Sequence, residues 1–192
     1  IFRVASKPEV GGGHISRSLA IACAMRKWYT CLFVLDQGGE HWIERIEAAG
    51  FQAVISVDDS RNWSGCLLDG YEFTEHEENY WRQRSKAIVV FDDFDDPAAK
   101  VDLAISSVSS PQRDNLNGVR RIGGPDHAII DSSYFSSNAK PVSRNVEQIL
   151  VGCGARDSVN ATATVLEALS LLGEERDLPQ VTVCLGARAP HL

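Results

Sequence analysis

The apolar residues of the first half come in short continuous runs, separated by stretches with helical period. Phe2 to Ala5, Cys31 to Asp36, Gln52 to Ser56, Cys66 to Tyr71, Ala87 to Phe91 and Val101 to Ser106 each read as a strand. Unbroken apolar runs of this length, as in Cys31-Leu32-Phe33-Val34-Leu35, mark strands covered on both faces, the condition of a parallel sheet. Between the runs, Ser18 to Tyr29 carries Leu19, Ala20, Cys23 and Ala24 in helical register. Glu40 to Ala49 places Trp42, Ile43, Ile46 and Ala49 on one stripe before Gly50 supplies a stop. Thr74 followed by Glu77 has the form of a capping box for a helix through Ser85, a charged surface helix anchored by Tyr80 and Trp81. Strand and helix alternate, which predicts an α/β fold with a parallel, Rossmann-like sheet.

The second half breaks and then restarts this pattern. Gly123 to Asp126 reads as a turn, His127 to Asp131 as a short strand, and the Ser-, Asn- and Pro-containing stretch Ser132 to Arg144 as a linker. The first domain is therefore drawn from 1 to 141. From 146 a second Rossmann-like domain opens. Gln148 to Cys153 forms a strand, Gly154 a turn, and Asp157 the N-cap of a helix to Leu172 with Val159, Ala163, Leu166 and Leu169 in phase, before a last strand at Val181 to Gly186. Two strands and one helix are too few to stand alone, so this domain, 146 to 192, is read as incomplete.

Composition narrows the function without naming it. With 44% hydrophobic residues among 192, the chain can bury a substantial core. A net charge of −7 and the lack of a basic, aromatic-rich stripe argue against nucleic acid as partner. The five cysteines form no CxxC pair, which argues against a disulfide framework or zinc site and favours a cytoplasmic location. No signal peptide and no apolar run long enough to span a membrane is found. Because the chain starts at Ile1 rather than Met, it is read as open to extension at its start.

Candidate chemistry gathers first at Val10-Gly11-Gly12-Gly13-His14-Ile15-Ser16-Arg17, between the first strand and helix. The three glycines are expected to take positive φ and to admit a ligand close to the backbone. The following helix would point free N–H groups and its positive dipole end at the same place. His14 would project above the carboxyl edge of the sheet, where open α/β sheets bind ligands, and Asp69 and Tyr71 leave another strand at that edge. Asp92, Asp93, Asp95 and Asp96 follow a further strand and could hold Mg²⁺ or serve as caps and turns; no metal or cofactor is expected. The polar loop from Ser107 to Gly118 is long enough to be functional. There is no Gly-x-Ser-x-Gly elbow and no complete dinucleotide fingerprint, which disfavours acyl hydrolases and nicotinamide enzymes.

Taken in order, Gly11-x-Gly13-His14-x-x-Arg17, Leu68-Asp69-x-Tyr71, Asp92-Asp93, Gly123-x-x-x-His127-Ala128 with Tyr134-Phe135, and Gly152-x-Gly154-x-x-Asp157 resemble the UDP-sugar hydrolases of pseudaminic acid biosynthesis. They also resemble the related spore-coat polysaccharide proteins. The resemblance covers nearly the whole chain. It implies a GT-B arrangement like that of MurG-type glycosyltransferases, two Rossmann-like domains on one cleft, and hydrolysis of a UDP-linked diacetamido-deoxy sugar. It further implies His14 as catalytic base, with Arg17 and Tyr71 as catalytic partners. Gly11, Gly12, Gly13 and Asp69 would contact substrate, and Gly154 and Asp157 would face the nucleotide. The family has two adjacent glycines before that aspartate, whereas here Gly154 is followed by Ala155. A histidine, with an ordinary pKa of about 6.5, suits deprotonation of an attacking water at neutral pH. Two rival readings stand beside the hydrolase: a glycosyltransferase with an acceptor in place of water, and a non-catalytic sugar-nucleotide binding module.

Overall fold

The computed structural model describes residues 1–93, 101–106, 119–136, 144–154, 156–175, 177–186 and 189–191. The expected functional loop 107–118, Asp95, Asp96, Ala155 and most of the expected linker lie outside the described residues. The chain divides into two units, Ile1–Ser136 and Ser137–Leu192.

The first unit is a parallel, Rossmann-like α/β sheet of seven strands: β1 Phe2–Val4, β2 Leu32–Leu35, β3 Gln52–Val54, β4 Cys66–Asp69, β5 Ile88–Phe91, β6 Leu103–Ser106 and β7 Arg120–Gly123. Their order is β3-β2-β1-β4-β5-β6-β7. The chain winds outward from β1 to β3, returns to the other side of β1 as β4, and winds outward again. β1 and β4 therefore flank the point where winding reverses, with Val4 opposite Asp69 at their carboxyl ends. In open α/β sheets the connections diverge there and leave a crevice for ligands.

Both sheet faces are covered, as the unbroken apolar runs require. On one side Phe2, Val4, Phe33 and Leu35 pack with Ile15, Leu19 and Ala22 of helix α1 (Gly13–Met25) and Ile46 of α2 (Ile43–Ala48). On the other, Val34, Cys66, Leu68, Ile88 and Val90 pack with Trp81 of α3 (Glu75–Arg84). Burying one such aliphatic side chain is worth about 1.5–3 kcal/mol. α1 begins at Gly13 rather than Ser18 and ends before Tyr29, leaving Trp28 and Tyr29 exposed. Gly50 closes α2 with φ 84°, a conformation that favours glycine. At α3 the Thr74 hydroxyl accepts from the Glu77 N–H, as a capping box predicts. The Glu77 carboxylate instead takes the Arg3 Nε at 2.6 Å, so the reciprocal half of the box gives way to a tertiary ion pair.

Two stretches depart from the sequence pattern. β7 was not foreseen, because Arg120 and Arg121 break the apolar pattern; Arg121 is buried there with Nη2 2.5 Å from Asp92 Oδ2. The strand expected at His127–Asp131 does not form. Gly124 takes φ 83°, Pro125–His127 makes a 3-10 turn, and the N–H groups of His127 and Ala128 bond to Gly124 and Pro125 carbonyls, so this backbone is satisfied locally. Ser132–Ser136, at the start of the expected linker, is a short 3-10 helix.

The second unit carries a parallel pair, β8 Gln148–Val151 and β9 Gln180–Val183, with α4 Ala161–Glu175 between them in sequence. α4 starts later than expected. Asp157, at φ 44°, caps it from upstream by accepting the N–H groups of Ala161 at 2.7 Å and Thr162 at 3.0 Å. Leu150, Val159 and Leu171 are exposed. No helix among the described residues is long and apolar enough to cross a membrane.

The ends of β1 and β2 are locked together by charge. The Ser6 N–H donates to Asp36 Oδ2 at 2.7 Å, the Asp36 N–H donates to Ser6 Oγ at 2.7 Å, and Arg3 Nη2 reaches Asp36 Oδ1 at 2.5 Å. Burial pushes the Asp36 pKa up, but the Ser6 N–H and then Arg3 outweigh it and hold it below the usual carboxylate value. A carboxylate depressed on folding stabilises fully above its unfolded pKa of about 3.9, and that contribution fades as pH falls through the lower folded value. The stability gap between the wild type and Asp36→Asn is therefore expected to be widest at neutral pH and to shrink below about pH 4. Denaturant midpoints across an acid series measure it, and a gap that stays constant would contradict the assignment.

Candidate active site

Asp69 is the last residue of β4 and is fully buried at the reversal point. A carboxylate there needs partners, and α1 supplies three from one face, at positions i, i+3 and i+4. His14 Nδ1 lies 2.6 Å from Asp69 Oδ1, Ser18 Oγ donates to Oδ2 at 2.9 Å, and Arg17 Nη2 donates to Oδ1 at 2.5 Å. Arg17 Nε adds bonds of 2.9 and 3.0 Å to the two oxygens. Asp69 so held is an acceptor, and the proton on His14 must then sit on Nδ1. The 3.2 Å approach of Arg17 Nη2 to that nitrogen is two donors converging on one oxygen. The lone pair is left on Nε2, which has no hydrogen-bond partner among the described residues and is not sealed from solvent.

A second carboxylate extends the network. Arg17 Nη1 donates to Asp93 Oδ2 at 2.7 Å, and the guanidinium lies over the Phe91 ring, 4.0 Å from its centroid. The Tyr71 hydroxyl donates to the same Asp93 oxygen at 3.1 Å, and its ring meets the His14 ring edge-on at 4.7 Å. Burial opposes charge on Arg17, but Asp69 and then Asp93 outweigh it and raise its pKa, so it stays a fixed cation. Burial and the Asp93 charge raise the Tyr71 pKa, so its hydroxyl remains a donor.

The glycine turn is built differently from expectation. None of Gly11, Gly12 and Gly13 has positive φ. Gly12 is instead a contact requirement, since a Cβ there would lie 2.8 Å from Cη2 of Trp42. Gly11 and Gly13 have nothing within 4 Å of an added Cβ, so open space borders the start of α1, whose N-cap, Gly12, makes no side-chain cap. The N–H groups and positive dipole end there remain available to a ligand.

The structure thus gathers His14, Arg17, Asp69 and Tyr71, adds Ser18, which the sequence pattern does not single out, and brings in Asp93 in a role other than the metal ligand or cap expected of it. Asp69, expected to contact substrate, is sealed beneath His14 and orients it instead. Arg17 is engaged by two carboxylates, Asp69 and Asp93. Asp93, expected at its strand end as a possible Mg²⁺ ligand or a cap, is instead the partner of Arg17 and Tyr71. Asp92 is tied to Arg121, and no cluster among the described residues has the composition of a metal site. Gly154 and Asp157 belong to the second unit. There Gly154 takes φ 85° with open space around it, while the Asp157 carboxylate occupies the N-terminus of α4.

No protein-family model matches the chain. Across 200 aligned residues it is 24% identical to an uncharacterized protein of Methanocaldococcus jannaschii, an alignment covering 94% of this chain and 41% of that protein. The chain spans about two fifths of the length of the curated relative it matches.

Proposed function

We propose that the chain carries the catalytic half of a UDP-sugar hydrolase, acting on a UDP-linked diacetamido-deoxy sugar in nonulosonic acid or surface-polysaccharide synthesis. The observation that carries this reading is the buried Asp69 fixing Nδ1 of His14 and leaving Nε2 at the reversal point of the sheet. In this reaction a water oxygen bonds to the anomeric carbon while the bond from that carbon to the diphosphate oxygen breaks. His14 Nε2 takes the proton from the water, and the products are the free sugar and UDP. The uncapped start of α1 supplies positive dipoles near the reacting centre. Asp69 holds the imidazole and favours its charge as the proton arrives.

On this reading the second unit opens a second Rossmann-like domain in a GT-B arrangement. The exposed Leu150, Val159 and Leu171 accord with a sheet and helix that more strands and helices would cover. A glycosyltransferase would use the same base on an acceptor hydroxyl. Incubation with the UDP-diacetamido sugar, with and without acceptor sugars, is expected to release UDP and free sugar without an acceptor. Turnover only with acceptor would establish the transferase, and binding without turnover the non-catalytic module.

A further inference from the structure

Tyr71 poses a packing question. It is 58% exposed, so burial does not explain why its ring is held edge-on against His14. Its loop is rooted tightly: a Cβ on Gly70 would lie 2.6 Å from the Ala5 Cβ and 3.1 Å from the Phe73 ring, so the chain turns hard against the end of β1. Beyond that root, the hydroxyl bond to Asp93 Oδ2 fixes the ring. The same oxygen anchors Arg17 Nη1, whose other nitrogens grip the aspartate behind His14. Asp93 itself does not touch the imidazole.

We infer that Asp93 is a positioning residue of this site: through Tyr71 it holds the loop after β4 over His14, and through Arg17 it sets the orientation of Asp69. The inference rests on the proposed hydrolase for its effect on rate, but its geometry can be tested without any reaction. Among the described residues, the charged groups acting on the Tyr71 hydroxyl are Asp93, Arg17 and Asp69, with the Asp93 charge and bond favouring the neutral phenol. Asp93→Asn keeps the shape and removes the charge.

Tyrosine ionisation, followed by ultraviolet absorbance and assigned to Tyr71 by difference from Tyr71→Phe, is expected at lower pH in Asp93→Asn than in the wild type. Amide exchange in the loop after β4 is expected to quicken in both variants. In the UDP-release assay each single variant is expected to lose about tenfold in kcat, a modest misplacement of the catalytic group. The double variant should lose no more than Asp93→Asn alone, since the hydroxyl that Tyr71→Phe removes acts through Asp93. An unchanged Tyr71 titration in Asp93→Asn, or losses that multiply in the double variant, would overturn the inference. If the wild type releases no UDP, the hydrolase reading fails alone, and the titration and exchange data still decide the role of Asp93.

Discussion

Asp69→Ala is expected to cost the first unit about 3–5 kcal/mol, the usual penalty for deleting one partner of a buried ion pair. Four side-chain donors converge on this fully buried carboxylate from His14, Arg17 and Ser18. Without it, the Arg17 cation keeps Asp93 but loses its larger partner, and the Ser18 hydroxyl is stranded in the core. Against a total stability of about 5–15 kcal/mol this is a large fraction, equivalent to roughly 10–20 °C in the melting temperature of that unit. Calorimetry on the purified variant measures it. Asp69→Asn should retain more stability, yet its amide turns a donor toward a ring of donors, so it remains well below the wild type. A variant melting within a degree or two of the wild type would show that the network contributes little, and the orientation assigned to His14 would lose its basis. This prediction does not depend on which reaction the site performs.

His14→Ala is expected to lower the rate of UDP release by about 10²–10⁴-fold, the usual contribution of a positioned general base. Asp69 would still be held by Arg17 and Ser18, so most of the fold should survive. His14→Gln, whose amide can still donate to Asp69, guards against a packing defect being read as catalysis. Both variants should lose the rate while melting near the wild type. Full-rate release in either would remove His14 from the mechanism. Loss in His14→Ala with recovery in His14→Gln would assign the residue a structural duty.

The sheet was legible because its strands announce themselves. Phe33, Val34 and Leu35 are consecutive, and only a strand covered on both sides buries all three. β7 was hidden because its buried residue is Arg121, and nothing near it in sequence signals that Asp92 waits 29 positions away. The same distance problem hid the depth of the site. His14 stood out because a glycine turn meets a helix there, but its meaning depends on Asp69, 55 residues on, and Arg17 depends on Asp93, 76 residues on. Local pattern reports which residues occupy strand ends and helix starts. It does not report which of them face solvent and which turn inward, as Asp69 does. The glycines were misread similarly: backbone freedom was the local guess, and the close approach of Trp42 to Gly12 is a tertiary fact.

That contact also governs how the site is walled. With the Trp42 ring lying where a Gly12 side chain would be, the start of α1 is wedged against the second strand-helix unit, and the Ser6–Asp36 exchange pins the neighbouring loop. The wall bearing His14 is therefore held by packing on one side and by hydrogen bonds on the other. Across from it, the loop after β4 is rooted where Gly70 packs against Ala5 and Phe73, and the Tyr71 hydroxyl is bonded to Asp93. Each wall thus rests on a glycine seated against a larger side chain, so a side chain introduced at Gly12 or Gly70 would displace the wall it belongs to.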